Sequence, residues 1–203
     1  EERSLLRALA EYLERFDVLI TYNGKTYDQP LLETRYRMTR QKPPFGRLPH
    51  LDLLHGARRL WKLRVENCRL THLESQVLGV EREGDLPGEM IPYVYFEYLR
   101  RNEAQRLVPV FHHNAIDILT LGCLTALVPA AFRETDVESL AAIGLRSGEE
   151  YLGIARWLLA AGQAERGLDL LRWAVDVGLP DPLLFQTLWD IGRIEKKLGR
   201  EEP

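Results

Sequence analysis

The segment 18–32, VLITYNGKTYDQPLL, constrains the fold more than any other part of the sequence. An apolar, β-branched run over 18–21 is followed by an Asn-Gly turn signal at 23–24 and then by Asp28, where a new periodic apolar segment starts. This order predicts a buried strand, a turn and a helix start. The carboxyl end of such a strand in an α/β fold faces the crevice where the sheet binds ligands. Asp28 is therefore a candidate functional carboxylate, and a role as the N-cap of the helix that Pro30 opens is the alternative.

Length and composition predict one core with a smaller appendage. The chain has 203 residues, of which 45% are hydrophobic. Cys68 and Cys123 lack the spacing of a disulfide framework or a zinc site, which favours a reducing, cytoplasmic setting. No uninterrupted apolar run approaches the ~18 residues of a membrane span, and no signal-peptide core is seen, so no membrane partner is expected. A net charge of −3 does not by itself indicate a nucleic-acid-binding protein, so any such binding depends on local patches of basic residues.

A short apolar strand is predicted around Leu51, and the segment that follows it is basic. The sequence 53–64 carries lysine and arginine on both sides of an aromatic residue, namely Arg58, Arg59, Trp61, Lys62 and Arg64. This pattern suits a surface that follows phosphates and stacks bases. An amphipathic helix with a solvated basic face explains it equally well.

The segment 69–80 is predicted to be a helix, with Thr71 and Glu74 as a capping box and Gly79 as its stop. An acidic loop rich in glycine and proline follows, and it leads to an aromatic helix from Tyr93 onward. The loop is interpreted either as a lid or as a simple connection.

The second candidate site lies in FHHNAIDILTL, residues 111–121. His113 and Asp117 are four residues apart, which puts them on one helical face, and His112 lies five residues before Asp117. An imidazole beside a carboxylate can act as a general base, since histidine titrates near neutrality. A structural contact at the surface is the alternative.

These segments together resemble a known nuclease family. Asn23 followed by Tyr27-Asp28 matches N-x-x-x-(F/Y)-D and resembles the second exonuclease motif of the DEDD (DnaQ-like) nucleases, which have the RNase H-like fold. The string TYNGKTYDQPLLETRY is similar to the YprB-type branch, and residues 73–93 are similar to its LExxxLGxxRxxDxPGxxxPxxY stretch. The third motif of the family is H-x-x-x-x-D, which His112 and Asp117 satisfy, or Y-x-x-x-D, in which His113 takes the place of tyrosine.

The resemblance implies a metal-dependent nuclease, with 3′ to 5′ exonuclease activity on DNA or RNA. Two Mg²⁺ or Mn²⁺ ions about 4 Å apart would be held by four carboxylates, of which Asp28 and Asp117 are two. His113, or alternatively His112, would be the base. The residues expected to contact the substrate are Asn23, Tyr27, Arg58 and Arg59.

The D-x-E motif that supplies the other two acids in this family does not precede Asn23. The D-x-E of residues 136–138 is interpreted as structural, with Thr135 and Glu138 forming a capping box. We therefore expect a domain that lacks its N-terminal strands, and a chain that is inactive as given.

The expected fold is α/β and RNase H-like, incomplete at the N-terminus, over residues 1–133. Residues 134–203 resemble a tetratricopeptide-like helical repeat, in which Leu152 corresponds to Trp189 and Gly162 to Gly199. So few repeats cannot bury their own face, so they are expected to pack on the first domain or on further repeats. The tail tryptophans 157, 173 and 189 are expected in the core. The alternative function is a non-catalytic scaffold, with a vestigial nuclease fold, that binds nucleic acid or binds protein through this tail.

Overall fold

The computed structural model describes residues 1–134 and 136–199. Helix α1 (Glu2–Leu13) leads into strand β1 (Leu19–Thr21), and helix α2 (Asp28–Met38) follows the turn after it. Strand β2 (His50–Asp52) pairs with β1 in parallel, so that Thr21 lies opposite Asp52. The strand, turn and helix predicted in segment 18–32 are confirmed, although the strand is half-buried rather than buried. The short strand around Leu51 is also confirmed.

The rest of the described chain is mainly helical. In chain order it contains α3 (Leu53–Trp61), α4 (Leu70–Leu73) continued by a π-helical turn (Glu74–Leu78), α5 (Ile91–Arg101), α6 (Val108–Arg133), α7 (Val137–Ala142), α8 (Gly148–Ala160), α9 (Ala164–Val177) and α10 (Asp181–Lys197). Gly79 ends the π-helical turn with a φ of 67°, as the predicted stop requires.

The predicted capping boxes differ from the structure. Glu74 does not cap the helix that contains Thr71, because its buried carboxylate binds Arg82 and Thr120 instead. Thr135 lies outside the described residues. The N-cap of α7 is Asp136, whose carboxylate accepts a hydrogen bond of 2.8 Å from the backbone N–H of Ser139.

The main hydrophobic core crosses from the first part of the chain into the tail. It joins α3, α6, α8 and α9 through fully buried side chains such as Leu60, Leu124, Ile154 and Leu171. A smaller core lies under α1 and α2 and contains Leu6, Tyr36 and Phe45. The expectation that the tail packs on the first domain is therefore confirmed.

A buried carboxylate and a glycine form the junction between α3 and α8. Glu150 accepts hydrogen bonds from the indole N–H of Trp61 at 3.0 Å and from the guanidinium of Arg64 at 2.6 Å. A Cβ on Gly153 would lie 2.1 Å from the carbonyl oxygen of Arg59. The two helices can approach this closely only because residue 153 has no side chain.

The tail tryptophans are less buried than expected. Trp173 and Trp189 are 48% and 71% exposed, so the expectation of core positions is wrong for both, whereas Trp157 is half-buried against the core. Gly162 and Gly199 follow α8 and α10 with φ values of 79° and 71°. This shared conformation agrees with the proposed repeat register, and the tetratricopeptide-like assignment stays a prediction.

Residues 104–133, which include α6, are long and apolar enough to cross a membrane by length and composition alone. Their most apolar window has a mean hydropathy of 1.9, and 22% of it is buried. The sequence-based expectation missed this helix because polar residues such as Asp117 interrupt the apolar run. The core helix of a soluble protein passes the same test, and the second half of α6 contributes Leu124 and Val128 to the hydrophobic core. The absence of a membrane partner stays a prediction.

The close approach of α3 and α8 predicts the effect of replacing Gly153. Gly153→Ala is expected to lower the free energy of unfolding by about 1–3 kcal/mol, because its Cβ would overlap a backbone oxygen that cannot move independently. Gly122→Ala is the matched control, since a Cβ there meets nothing within 4 Å in α6. The control should be neutral or stabilising by up to about 1 kcal/mol. Urea unfolding of both variants tests this, and equal stabilities would contradict the packing described.

Candidate active site

The turn after β1 is held by a buried carboxylate of β2. Asp52 is 5% exposed and accepts hydrogen bonds from the backbone N–H groups of Asn23, Lys25 and Leu54, at 2.8, 3.0 and 3.1 Å. Asn23 adopts a φ of 65°, a left-handed conformation that asparagine tolerates. Asp52 thus fixes both the turn that carries Asp28 and the first turn of α3.

Asp28 is the first residue of α2, and its side chain is not the cap. The N-cap position belongs to Tyr27, and no side-chain hydrogen bond caps this helix. Partial burial, together with the negative charge of Asp52, raises the pKa of Asp28 above its usual value. Because the carboxylate of Asp28 makes no capping contact with the described residues, the capping role considered from the sequence is wrong.

A second cluster, which we call the Arg82 network, joins the loop after Gly79 to the middle of α6. The guanidinium of Arg82 is nearly buried and binds both oxygens of Glu74, at 2.5 and 2.6 Å. It also binds Asp85 at 2.9 Å and Asp117 at 2.5 Å. These acceptors, Glu74 above all, hold the pKa of Arg82 above its ordinary value.

His113 completes the Arg82 network. Its Nδ1 lies 2.8 Å from Oδ2 of Asp85, and its Nε2 lies 3.5 Å from Oδ2 of Asp117. Nδ1 is also 3.2 Å from a nitrogen of Arg82. A carboxylate only accepts, so the shorter contact requires the proton on Nδ1, and Arg82 then pairs with Asp85 rather than donating to the ring. Nε2 is the ring nitrogen that faces Asp117.

The acids on either side of His113 differ in their surroundings. Burial by itself would raise the pKa of Asp85, but the hydrogen bonds from Arg82 and His113 outweigh it, so the pKa lies below its usual value. The other oxygen of Asp85, Oδ1, is buried and has no hydrogen-bond partner within the described part of the chain. Asp117 is more exposed, with 34% of its side chain accessible.

The structure brings His113 and Asp117 together as the i, i+4 spacing predicts. His112, by contrast, is the preceding residue of α6, and its side chain is exposed. Among the described residues, Asp28 has no ion pair with either histidine, and no group of three or more His, Cys, Asp or Glu side chains could hold a metal ion. One oxygen of Asp117 is already taken by Arg82. The described residues thus do not form a two-metal cage by themselves.

The predicted substrate contacts are distributed over two cavities. Asn23 and Arg58 line one of about 430 Å³ together with Cys68. Arg59 lines another of about 450 Å³ on a different side of α3. Tyr27 is 69% exposed. Arg58 and Arg59 are adjacent in the sequence but line different cavities. The basic residues of α3 therefore do not form one continuous patch.

Four residues of these clusters were not among the candidate site residues drawn from the sequence: Asp52, Glu74, Arg82 and Asp85. The last two lie in the 73–93 stretch, where the family resemblance alone marked them. Asp52 follows an apolar strand just as Asp28 follows the turn after β1, and that position was its only local signal.

Comparison with known proteins places this site in a family. A family profile described as RNase_H superfamily matches residues 1–128. The chain therefore belongs to the RNase H superfamily, and its first part is a YprB-type RNase H-like domain. RNase H-like nucleases usually use divalent metals.

A curated relative extends the match beyond that domain. The "Uncharacterized protein YprB" of Bacillus subtilis (strain 168) is 33% identical over 197 residues, which cover 94% of this chain and 45% of that protein. The chain thus spans less than half the length of this relative. No solved structure gives a significant match.

The Asp52 hydrogen bonds predict a stability that depends on pH. Burial by itself would raise the pKa of Asp52, but three backbone N–H groups outweigh it, so its folded pKa lies below the unfolded value of about 3.9. The ionised form therefore favours folding. This stabilisation is present above about pH 4 and is lost as the pH falls through the folded pKa.

Asp52→Asn removes this contribution. At neutral pH the variant should be about 1–3 kcal/mol less stable, since an amide offers one acceptor oxygen to three donors. Its stability should also change less than that of the wild type between about pH 4 and pH 2. Urea unfolding across this range measures both effects, and parallel curves for the two proteins would contradict the assigned role.

The Arg82 network predicts a second stability effect. Arg82→Ala should cost about 3–5 kcal/mol, because it leaves the fully buried Glu74 without its counter-charge. Arg37→Ala is the control, since Arg37 pairs with Glu33 in the exposed i, i+4 geometry that contributes less than about 1 kcal/mol. In urea unfolding, a loss at Arg82 as small as that at Arg37 would contradict the role of Arg82 as the counter-charge of Glu74.

Proposed function

We propose that the protein is a metal-dependent nuclease of the DEDD type that removes nucleotides from DNA or RNA in the 3′ to 5′ direction. The observation that carries the proposal is the arrangement of Asp85, His113 and Asp117, in which the imidazole lies between the two carboxylates. Asp85 holds Nδ1 of the imidazole at 2.8 Å and so directs Nε2 toward Asp117. A histidine oriented by one carboxylate and facing a second is equipped to take a proton from water.

Each residue has a distinct role in this proposal. His113 accepts the proton of the attacking water at Nε2, and Asp85 stabilises the imidazolium that forms. His113 is preferred to His112 as the base, because only His113 contacts carboxylates in the described structure. Asn23, Tyr27, Arg58 and Arg59 remain the proposed contacts to the substrate.

The proposed cofactors are two Mg²⁺ or Mn²⁺ ions, with Asp28 and Asp117 as ligands. When bound, such ions activate the water and stabilise the leaving oxygen. Hard divalent cations need several oxygen ligands, and the two acids of this chain meet only part of that need. The D-x-E acids implied by the resemblance remain part of the proposal, as does the inactivity of residues 1–203 alone.

A scaffold without catalysis is the second candidate function. Helix α10 carries an exposed apolar stripe of Phe185, Leu188 and Trp189, whose exposed fractions are 75%, 51% and 71%. This i, i+3, i+4 pattern is typical of a helix face that binds protein. Both candidates keep the cytoplasmic location, and Cys68 and Cys123 are free thiols.

The intact natural protein, supplied with Mn²⁺ and an oligonucleotide labelled at its 5′ end, tests the nuclease. We expect a ladder that shortens from the 3′ end. His113→Ala should lower the rate by about 10²–10⁴-fold, the range for loss of a general base, whereas the neighbouring variant His112→Ala should retain the rate. Asp28→Asn and Asp117→Asn should each abolish cleavage while melting near the wild-type temperature. Full activity of Asp117→Asn would refute the assigned site, whereas a wild-type protein that shows no cleavage would favour the scaffold.

A further inference from the structure

The cavity next to Arg59, which we call the Trp157 cavity, lies where β2 ends, α3 begins and α8 packs against both α3 and α6. Its walls include Lys25, Asp52, His55, Arg59, Phe132 and Trp157. Ligands of α/β proteins bind in the crevice at the carboxyl ends of parallel strands. The volume of about 450 Å³ falls within the range of about 300–1,000 Å³ for small-molecule sites. Its position and size therefore suit a ligand of nucleotide size.

One wall of the Trp157 cavity is aromatic. The rings of Phe132 and Trp157 have centroids 4.8 Å apart and an angle of 59° between their planes. Both residues are half-buried, and the pair packs on the main core. Aromatic side chains held in this way offer a surface on which any base can stack.

The walls of the same cavity carry two permanent cations, Lys25 and Arg59, and one acid, Asp52. Lys25, His55 and Arg59 are exposed, and none of their side chains forms an ion pair within residues 1–134 and 136–199. Asp52 is the acid among the walls, and both of its oxygens are already used by backbone N–H groups. An anion such as phosphate would therefore find two permanent cations without displacing an existing partner.

A larger cavity elsewhere lacks this property. It measures about 640 Å³ and is lined by Arg133 and Arg172 among other residues. Arg133 already pairs with Glu134 at 2.8 Å, and Arg172 pairs with Glu195 at 2.7 Å. Its walls carry four acids, Glu134, Asp136, Asp169 and Asp176, against three arginines, so size alone does not identify an anion site.

The Trp157 cavity is also connected to the proposed active site. Lys25 belongs to the same turn as Asp28, and Asp52 holds its backbone N–H at 3.0 Å. Arg59 is fixed from the other side, because its carbonyl oxygen lies against Gly153 of α8. The helical tail thus supplies Trp157 and positions Arg59, so the cavity exists only when the two parts of the chain are packed together.

We propose that the Trp157 cavity binds one nucleotide unit of the nucleic-acid substrate, with its base against Trp157 and Phe132 and its phosphate at Lys25 and Arg59. The assignment of the nucleotide as part of a substrate rests on the proposed nuclease function. The tail then has a direct role in substrate binding, beyond its role in packing.

Isothermal titration of the intact protein with deoxyadenosine monophosphate, in the presence of a metal chelator, tests the proposal. Deoxyadenosine and inorganic phosphate are separate probes, and each should bind more weakly than the nucleotide. Lys25→Ala and Arg59→Ala should each weaken nucleotide binding about tenfold, as expected for loss of one charge-assisted contact. Trp157→Phe should keep most of the affinity, whereas Trp157→Ala should lose about tenfold.

Lys62→Ala is the matched control, because Lys62 is an exposed cation at the C-terminal end of α3 that lines neither of these two cavities. It should change the affinity by less than about twofold. Lys25, Arg59 and Lys62 are exposed, so all three variants should melt near the wild-type temperature. An equal loss in Lys62→Ala and Arg59→Ala, or no binding at about 10 mM nucleotide, would overturn the proposal.

These experiments can refute the proposed nucleotide site and the proposed nuclease function separately. A protein that cleaves oligonucleotides but does not bind the nucleotide through Lys25 and Arg59 overturns the cavity assignment alone. A protein that binds the nucleotide through these residues, yet shows no cleavage with Mn²⁺, supports the cavity and overturns the nuclease. Because the titration contains no metal, its outcome does not depend on the acids at Asp28 and Asp117.

Discussion

A single buried carboxylate, that of Asp52, connects the parts of the molecule on which the candidate site depends. It ends β2, receives the backbone N–H groups of the turn that leads to Asp28, and caps α3. Helix α3 in turn packs against α8 across Gly153. The position of Asp28 and the docking of the tail therefore share one anchor. A polar group this deeply buried is tolerated only because its acceptor sites are filled.

The Arg82 network plays the corresponding role at the other end of the site. Two strongly attractive partners, Glu74 and Arg82, are buried together, and Thr120 of α6 also donates to Glu74. The loop that follows Gly79 is thereby attached to α6, and it brings Asp85 against His113. The 73–93 stretch, which the sequence marked only by resemblance, thus determines which histidine faces Asp117. If this loop acts as a lid, another group must replace the contacts of Arg82 when the loop opens.

Sequence patterns predicted the features that depend on interactions between residues close together in the chain. The strand at 18–21, the helix start at Asp28 and the shared face of His113 and Asp117 follow from periodicity and turn residues, and the structure has all three. The capping box of Thr71 and Glu74 failed because a distant cation competes for the carboxylate. The same spacing is compatible with either partner, so sequence cannot decide between them. Asp52 and Asp85 were missed because the partners that give them their roles at the site, the turn at Asn23 and Lys25 and the ring of His113, come from distant parts of the chain.

The helical tail shows why domain boundaries drawn from composition need structural context. A change in residue character predicted a helical appendage that packs on the first domain or on further repeats, and the main core does continue from α3 and α6 into α8 and α9. Glu150 is buried at this junction and is bound by Trp61 and Arg64 from the first part of the chain. An unpaired carboxylate there would be costly, so the tail is stable in this form only when α3 is present. Since the same junction places Trp157 beside Arg59, any ligand held between them would bind the packed arrangement more tightly than separated parts, and would therefore stabilise it.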